Sequence, residues 1–488
     1  MSLSADVFAE LEPKPVWSEF AQLCSTPRAS KNEARISGQI VAWAQEKGLN
    51  IAVDRVGNLI LRKPASPGRE KSPGLVMQAH LDMVCQKNSD STHDFSSDPI
   101  VPVLRDGWLL AEGTTLGADN GIGVALIMAA LADKSLVHGP LEALLTVDEE
   151  AGMGGARGLA GGLLNASLML NLDTEAWGEF YLGCAGGLDV DVQRPASTEP
   201  LPAGWTVRRV ELLGLRGGHS GVDIHEERGN AIKLLVALLN ELVAVQPFRL
   251  VELRGGTARN ALPREAFASI ALPDATGLEE WLAGQQIVLR EILRGIDDGV
   301  TLQAGCSAAV EMLSENEHSI WLASLHAAPH GVRRMSRSVP GVVETSNNLG
   351  MVDISPAGSC CNFMVRSLVD RAATALADEI VSLFALSGTV AEKTGQYPGW
   401  APNPDSALLK TCQAVYRRDF GGESKVQVIH AGLECGIIGA KYPELDIVSF
   451  GPTIHGAHAP GERVEVASVE RCWRLLKAIL AEVSNPAS

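Results

Sequence analysis

Short apolar runs that stop at ionisable residues alternate with helix-compatible stretches over the first 185 or so positions. Gly74 to Ala79 is one such run and ends at His80; Leu141 to Val147 ends at Asp148-Glu149-Glu150; Ser167 to Leu172 ends at Asp173. Between them Gly121 to Ala132, rich in Ala, Leu, Ile and Met, has the content and length of a buried helix that begins just after Asp119-Asn120. Strands alternating with helices predict an α/β fold built on a doubly wound, mostly parallel sheet.

From about residue 187 the texture changes. Pro195, Pro200 and Pro202 predict a linker before a strand over Trp205 to Leu215, followed by a long helix over Asn230 to Val245 and further strand and helix signals up to the Pro/Gly-rich stretch Tyr397 to Pro404. Alternation then resumes. A helix is expected near Ser406 to Tyr416, a strand over Val426 to Ile429, a helix after Gly432, a strand over Asp446 to Phe450 and a last helix near Val469 to Val483. The simplest organisation is one α/β domain in two parts, residues 1–186 and 403–488, split by an inserted α+β domain over 187–402.

Composition narrows the functional classes. Of 488 residues 46% are hydrophobic and 20% charged, which supports a large core rather than disorder. With 41 Lys+Arg against 58 Asp+Glu, the net charge of −17 disfavours nucleic acid and anionic membrane as partners. The longest apolar run, Ile122 to Ala132, falls well short of the roughly 20 residues needed to span a bilayer. Asp6, Glu10 and Glu12 precede the first lysine, Lys14, opposite to a secretory leader. The nine cysteines show no paired CxxC spacing, so a reducing, cytoplasmic location is expected.

The ionisable residues fall where an open parallel sheet binds ligands, beyond the carboxyl ends of its strands. His80, Asp148-Glu149-Glu150 and Asp173 each follow a predicted strand, and a fourth strand leads to Gly451-Pro452-Thr453-Ile454-His455-Gly456-Ala457-His458. Singly these have plain readings: His80 as a loop histidine, Asp119 and Asp173 as helix caps, Glu149-Glu150 as acidic residues at a helix N-terminus. Four acid or histidine clusters after four strands are hard to explain as caps. Imidazole with carboxylate is a ligand set for zinc or another borderline divalent ion, and carboxylates can bridge two ions. Paired glutamates allow one to bind metal and the other to act as general base, while Asp82 is spaced to orient the His80 ring.

Five ordered segments, Gln78-Ala79-His80-Leu81-Asp82-Met83-Val84, Leu116-Gly117-Ala118-Asp119-Asn120-Gly121, Thr146-Val147-Asp148-Glu149-Glu150, Asn171-Leu172-Asp173 and His455-Gly456-Ala457-His458-Ala459-Pro460, together resemble the di-zinc M20 metallopeptidases. Cys85-Gln86-Lys87-Asn88 and His430-Ala431-Gly432-Leu433-Glu434-Cys435-Gly436 are most similar to the carnosinase-like aminoacyl-histidine dipeptidases of that family. The resemblance runs along the whole chain. It implies two Zn2+ per subunit, with Co2+ or Mn2+ as substitutes: His80 and Asp173 on one ion, Glu150 and a late histidine on the other, and Asp119 bridging. Of His455 and His458, the family pattern of a ligand before an Ala-Pro step and an acid points to His458. Glu149 would be the general base and Asp82 the orienting carboxylate, with Cys85 a packing residue.

For the inserted domain, Gly217-Gly218-His219-Ser220-Gly221 resembles the family's lid motif, whose histidine polarises the scissile carbonyl. Arg228 or Asn230 is expected to cap and anchor the long helix that follows. The resemblance further implies Arg366 and Asn260 as holders of substrate oxygens, with the Arg366 fork suited to a carboxylate, and Glu434 as a candidate for the substrate's amino group. A homodimer formed through the lid and a small peptide substrate, Xaa-His including β-Ala-His, are the implied partners. A tripeptidase, an N-acyl amino acid deacylase and a non-catalytic paralogue are the rival readings.

Overall fold

The computed structural model describes residues 5–88, 90–337 and 339–485, so the ends of the predicted first and last segments, 1–4 and 486–488, lie outside the described residues. The chain divides into two compact units, one holding residues up to Gly183 with Pro402–Val428 and Leu433 onward, the other Cys184–Ala401 with the short excursion Ile429–Gly432.

The first unit is built on an eight-stranded sheet in the order Asn50–Val53, Leu59–Lys63, Leu141–Thr146, Leu75–His80, Leu168–Asn171, Asp446–Ser449, Glu179–Cys184, Lys425–Ile429. Its middle four strands, from Leu141–Thr146 to Asp446–Ser449, are parallel. Antiparallel pairs flank them, so the predicted parallel character belongs to the centre. The strands Leu75–His80 and Leu141–Thr146 are buried at every position, as expected where helices cover both faces.

One covering helix is Ala118–Ala132, regular from Gly121 onward and almost wholly buried. It packs on the helix Lys14–Cys24 and on the strand ending at His80. Because it is apolar on every side, burial rather than an amphipathic stripe holds it, at about 1.5–3 kcal/mol for each large side chain. Its last carbonyls are taken by a lysine from elsewhere: Lys63 Nζ donates to Ala130 O at 3.2 Å and to Asp133 O at 2.7 Å. The same device recurs, with Lys441 Nζ donating to the carbonyls of Ala156, Arg157 and Leu159, and Lys233 Nζ to those of Leu325, His326 and Ala328.

The second unit is α+β. Its main sheet is antiparallel, running Thr301–Cys306, Thr206–Leu213, Ala266–Leu272, Arg249–Gly255, Val343–Ser355, Gly358–Ser367, Gly186–Arg194, Val390–Tyr397, with Gly331–Met335 paired alongside Val343–Ser355. The helices Ala231–Val243, Glu315–Ala327 and Asp370–Ala385 bury apolar faces in this unit's core. Asn230 is the N-cap of the first, its side chain accepting from Lys233 N at 3.1 Å. The prolines after Arg194 do not mark a plain linker: Thr198–Pro200 pairs with Glu311–Leu313 as a short ribbon, and the strand before it, Gly186–Arg194, lies inside the main sheet.

Candidate metal centre

All four parallel strands end at one edge, and the side chains gather there. His80 closes its strand and is 1% exposed. Its Nε2 lies 3.2 Å from Asp119 Oδ1 and 3.3 Å from Asp173 Oδ1. Its Nδ1 lies 3.1 Å from the backbone oxygen of Asp82 and 3.4 Å from Asp82 Oδ1, which places the proton on that nitrogen and leaves Nε2 to face the carboxylates. His458, reached from the fourth strand and held at φ 67°, places Nε2 3.1 Å from both Asp119 Oδ2 and Glu150 Oε2. His455 stacks on Trp108 instead, with ring centroids 4.9 Å apart.

Asp119 therefore offers one oxygen to His80 and the other to His458. Three overlapping ligand groups result, His80–Asp119–Asp173, Asp119–Glu150–His458 and His80–Glu149–Glu150, each with ligand atoms within 4.8 Å of one another. Asp82 sits beneath, fully buried, with Oδ1 accepting from Glu149 N at 3.0 Å and Oδ2 from Glu150 N at 3.1 Å and Ser30 Oγ at 2.7 Å. It thus orients the histidine and fixes the backbone that carries both glutamates.

The electrostatics are those of a site short of positive charge. Burial works against His80 carrying a proton, yet Asp173, Asp119 and Asp82 push its pKa well above the usual value. Hydrogen bonds to Asp119 and Glu150 push His458 up to about 11. Desolvation drives Glu149 well above the ordinary range, with Asp173, Glu434 and Glu150 adding to it and His80 opposing. Asp173 is raised, chiefly by burial. For Asp82 burial is outweighed by His80, Ser30 and the Glu149 N–H, which hold it at about 2. Glu150 Oε1 is buried with no hydrogen-bond partner. Two imidazoles facing five carboxylates, with one oxygen orphaned, fit a pair of divalent cations; without them protons fill part of that role.

Several groups support the cluster from beneath, of which Arg28 carries no local sequence signal. Glu462 accepts from the backbone N–H groups of Leu116, Gly117 and Asp119. Arg28 Nη1 donates to the carbonyls of Leu81 and Asp82, both at 2.9 Å, and its Nη2 to that of Gly117. Asn120 Nδ2 donates to Leu172 O at 2.9 Å and to Asp173 Oδ1. Cys85 is half-buried beside the core of this unit, with Sγ 3.7 Å from Met83 O. Glu434, also in this unit, is fully buried; its Oε2 accepts from Gln78 Nε2 at 2.7 Å and Thr146 Oγ1 at 2.6 Å.

The second unit holds His219, Asn260 and Arg366. His219 Nδ1 accepts from the backbone N–H groups of Gly221 at 3.2 Å and Val222 at 3.0 Å, so the ring proton belongs on Nε2. Asn260 is exposed, and its carbonyl accepts from Ser220 N at 2.8 Å next to the pairing of His219 with Ala261. Arg366 is 5% exposed, donates from Nη1 to Tyr397 Oη at 2.9 Å and keeps Nε buried without a partner. Beside it stands His430, unremarked as a site residue in the sequence, with Nε2 2.8 Å from Ser346 Oγ. Burial first, then Arg366, His219 and His225, lowers its pKa to about 3, so its imidazole is neutral. Gly221 passes so close to these two that a Cβ there would overlap the His430 carbonyl oxygen and press on Arg366. Arg228 donates to Gly217 O at 2.6 Å and pairs with Asp223 and Glu226, anchoring the loop.

Among known proteins, the chain is 44% identical over 478 residues to the cytosol non-specific dipeptidase of Escherichia coli K12, covering 97% of this chain and 99% of that protein. The crystal structure of aminoacylhistidine dipeptidase from Vibrio alginolyticus superposes with a TM-score of 0.87 at 43% identity, covering 97% of each chain. Aminopeptidase PepT from Bacillus cereus shares the fold at 16% identity, TM-score 0.56, over 97% of this chain and all of that one. The model of peptidase family M20/M25/M40 matches residues 76–482, and the chain belongs to that family.

Proposed function

We propose that this peptidase is a metal-dependent dipeptidase that prefers Xaa-His substrates, β-Ala-His among them, and works with two divalent ions, zinc foremost. The observation that carries the reading is the split of Asp119, one oxygen toward His80 and Asp173 and the other toward His458 and Glu150, at 3.1–3.2 Å from the two imidazoles. His80 and Asp173 would hold one ion, Glu150 and His458 the second, and Asp119 both. When bound, the ions supply Lewis acidity and lower the pKa of water toward neutrality.

The chain's own groups do the rest. Glu149, whose carboxyl prefers a proton more than an ordinary glutamate does, takes the proton of the attacking water and returns it to the leaving nitrogen. Asp82 keeps the His80 tautomer and holds the Glu149 and Glu150 backbone in place through both N–H bonds. From the second unit, His219 would donate from Nε2 to the scissile carbonyl oxygen. Arg366, with an unpaired Nε, and Asn260 would hold the substrate's carboxylate.

A cytoplasmic location is supported by the cytosolic E. coli relative, and among the described residues no helix is long and apolar enough to cross a membrane. A homodimer is part of the proposal, and sedimentation of the purified protein tests it. The test of function is hydrolysis by the zinc-loaded protein of β-alanyl-histidine and glycyl-histidine beside leucyl-glycine, a tripeptide and an N-acetyl amino acid. Faster cleavage of the histidine dipeptides is expected. Preference for the tripeptide or the acetylated compound would overturn the substrate assignment, and no hydrolysis with any of zinc, cobalt or manganese would overturn the dipeptidase itself.

A further inference from the structure

Four strands of the first unit each contribute one fully buried polar side chain at the level just beneath the metal centre: Thr146, Gln78, Asn171 and Ser449. Register sets them in a row, with Gln78 opposite Asn171 and Asn171 opposite Ser449. They are joined in one direction. The Ser449 hydroxyl donates to Asn171 Oδ1, Asn171 Nδ2 donates to Gln78 Oε1, and Gln78 Nε2 donates to Glu434 Oε2 at 2.7 Å. The Thr146 hydroxyl donates to the same Glu434 oxygen at 2.6 Å.

Such a row is costly between two buried faces unless every group is paired, and its order depends on which way each amide points. An amide can present either end; Glu434 Oε2, which already takes two donors, only accepts. Glu434, first residue of the helix Glu434–Lys441, is the one ionisable member of the row and stands at its end. With the Glu434 oxygen as a fixed acceptor, Gln78 must turn its NH2 toward it and its oxygen toward Asn171. Asn171 must then turn its own oxygen away, where it accepts the backbone N–H of Asp173 at 3.3 Å. Polarity imposed at Glu434 is thereby passed across two amides to the peptide that carries an expected metal ligand. Thr146, the other donor to Glu434, pairs in register with His80. Glu434 is 0% exposed, with Oε2 engaged by these two donors and Oε1 buried without a hydrogen-bond partner, so the amino-group role the family resemblance suggested would fall to Oε1.

We propose that Glu434 is a positioning residue of the metal centre, which fixes the orientation of the Gln78 and Asn171 amides and through them the placement of Asp173 beside His80. This rests on the proposed function only in taking Asp173 as a ligand.

The test uses the full-length protein and two variants, Glu434→Gln, which keeps the shape and removes the acceptor-only end, and Gln78→Met, which cuts the row and leaves Glu434 its Thr146 donor. Zn2+ and Co2+ affinities are measured by chelator competition, the visible spectrum is recorded on the cobalt-loaded protein, and kcat and KM are measured on one dipeptide. Both variants should lose at least tenfold in affinity for one of the two ions and shift the cobalt bands. Both should lower kcat tenfold or more with KM changed less than threefold, and the double variant should be no worse than the poorer single by more than threefold. Wild-type ion affinity and cobalt spectrum in either variant would overturn the proposal. So would a Glu434→Gln protein that keeps kcat, raises KM tenfold and loses preference for free-amino over N-acetylated dipeptides, since that marks a substrate contact. Should Glu434→Gln fail to fold, Gln78→Met and Asn171→Leu decide on the same ion titrations. If the wild-type protein hydrolyses none of the dipeptides, the proposed function fails while the ion titrations still decide this inference.

Discussion

Glu462 accepts the backbone N–H of Asp119 at 3.1 Å across 343 residues of chain. The same side chain takes the N–H groups of Leu116 and Gly117 at 2.8 and 2.9 Å, so one buried carboxylate folds the loop that presents Asp119. Replacing it with leucine leaves three buried donors unpaired, each worth about 1–3 kcal/mol. Glu462→Leu is expected to lose about 3 kcal/mol or more of stability in urea unfolding and to bind cobalt more weakly, whereas Glu462→Gln, which keeps an acceptor, should lose less than half as much.

Glu149 is separable from the proposed ligands beside it. Its backbone is held by Asp82 whatever its side chain, and Glu150 and His458 make their contacts independently. Glu149→Ala should therefore retain two ions per chain by metal analysis while its kcat falls by about 10²–10⁴ or more. Near-normal turnover in that variant would remove Glu149 from the role of general base.

Stripping the metal converts the centre into a proton-binding site, and the direction of its pH response follows. His458 is pushed from its usual 6.5 up to about 11 by Asp119 and Glu150, and Glu434 from 4.5 up to about 7 by burial. A group whose folded pKa lies above its unfolded one adds stability below the unfolded value and loses that contribution as pH climbs through the folded one. The Glu434 contribution is lost between about 4.5 and 7 and the His458 contribution between 6.5 and about 11. Chelator-treated protein should accordingly show a falling Tm from pH 5 to 9. The zinc-loaded protein should gain on it over the same range, because ligands must give up protons to bind metal. Calorimetry of both forms checks this; a metal-free Tm that rises with pH would contradict it.

Arg366 is buried with Nε unpartnered beside a neutral His430, so the cation there is the guanidinium and not the imidazole. Arg366→Lys keeps the charge and loses the paired donors. With a charge-assisted bond worth about 1.5–3 kcal/mol, KM should rise about 10–100-fold for a free dipeptide. The same substitution should matter little for a C-terminally amidated dipeptide. An equal loss on both compounds would detach Arg366 from carboxylate recognition.

The parts that were legible in the sequence are those whose cause is local. A strand that ends at a histidine or a pair of acids states its own position, so the edge gathering His80, Glu149, Glu150 and Asp173 could be foreseen. The buried helix after Asn120 could be foreseen from its unbroken apolar content. Arg28 could not, because it is defined by partners 53 to 89 residues away and looks in sequence like any charged residue in a loop; Glu462 and Glu434 were noticed only through the family resemblance, and their hydrogen-bond partners, 288 to 356 residues away, were not legible. The strand Gly186–Arg194 was obscured by Pro195 and its neighbours, which suggested a linker where the inserted unit already has strands. His430 was hidden for a different reason: four residues, Ile429–Gly432, leave the first unit and return, too short a detour for any compositional shift to register.

That detour means neither unit is a single cut of the chain. A protein trimmed to 184–401 would lack His430, and with it the imidazole partner of the Ser346 hydroxyl and the carbonyl that lies against Gly221, leaving the flank of Arg366 open to water. Deleting 184–401 would in turn leave a four-residue tongue with nothing to enter. Gene fragments drawn at 184 and 401 would sever a thread: residues 429–432 would be parted from the piece of cloth they are sewn into.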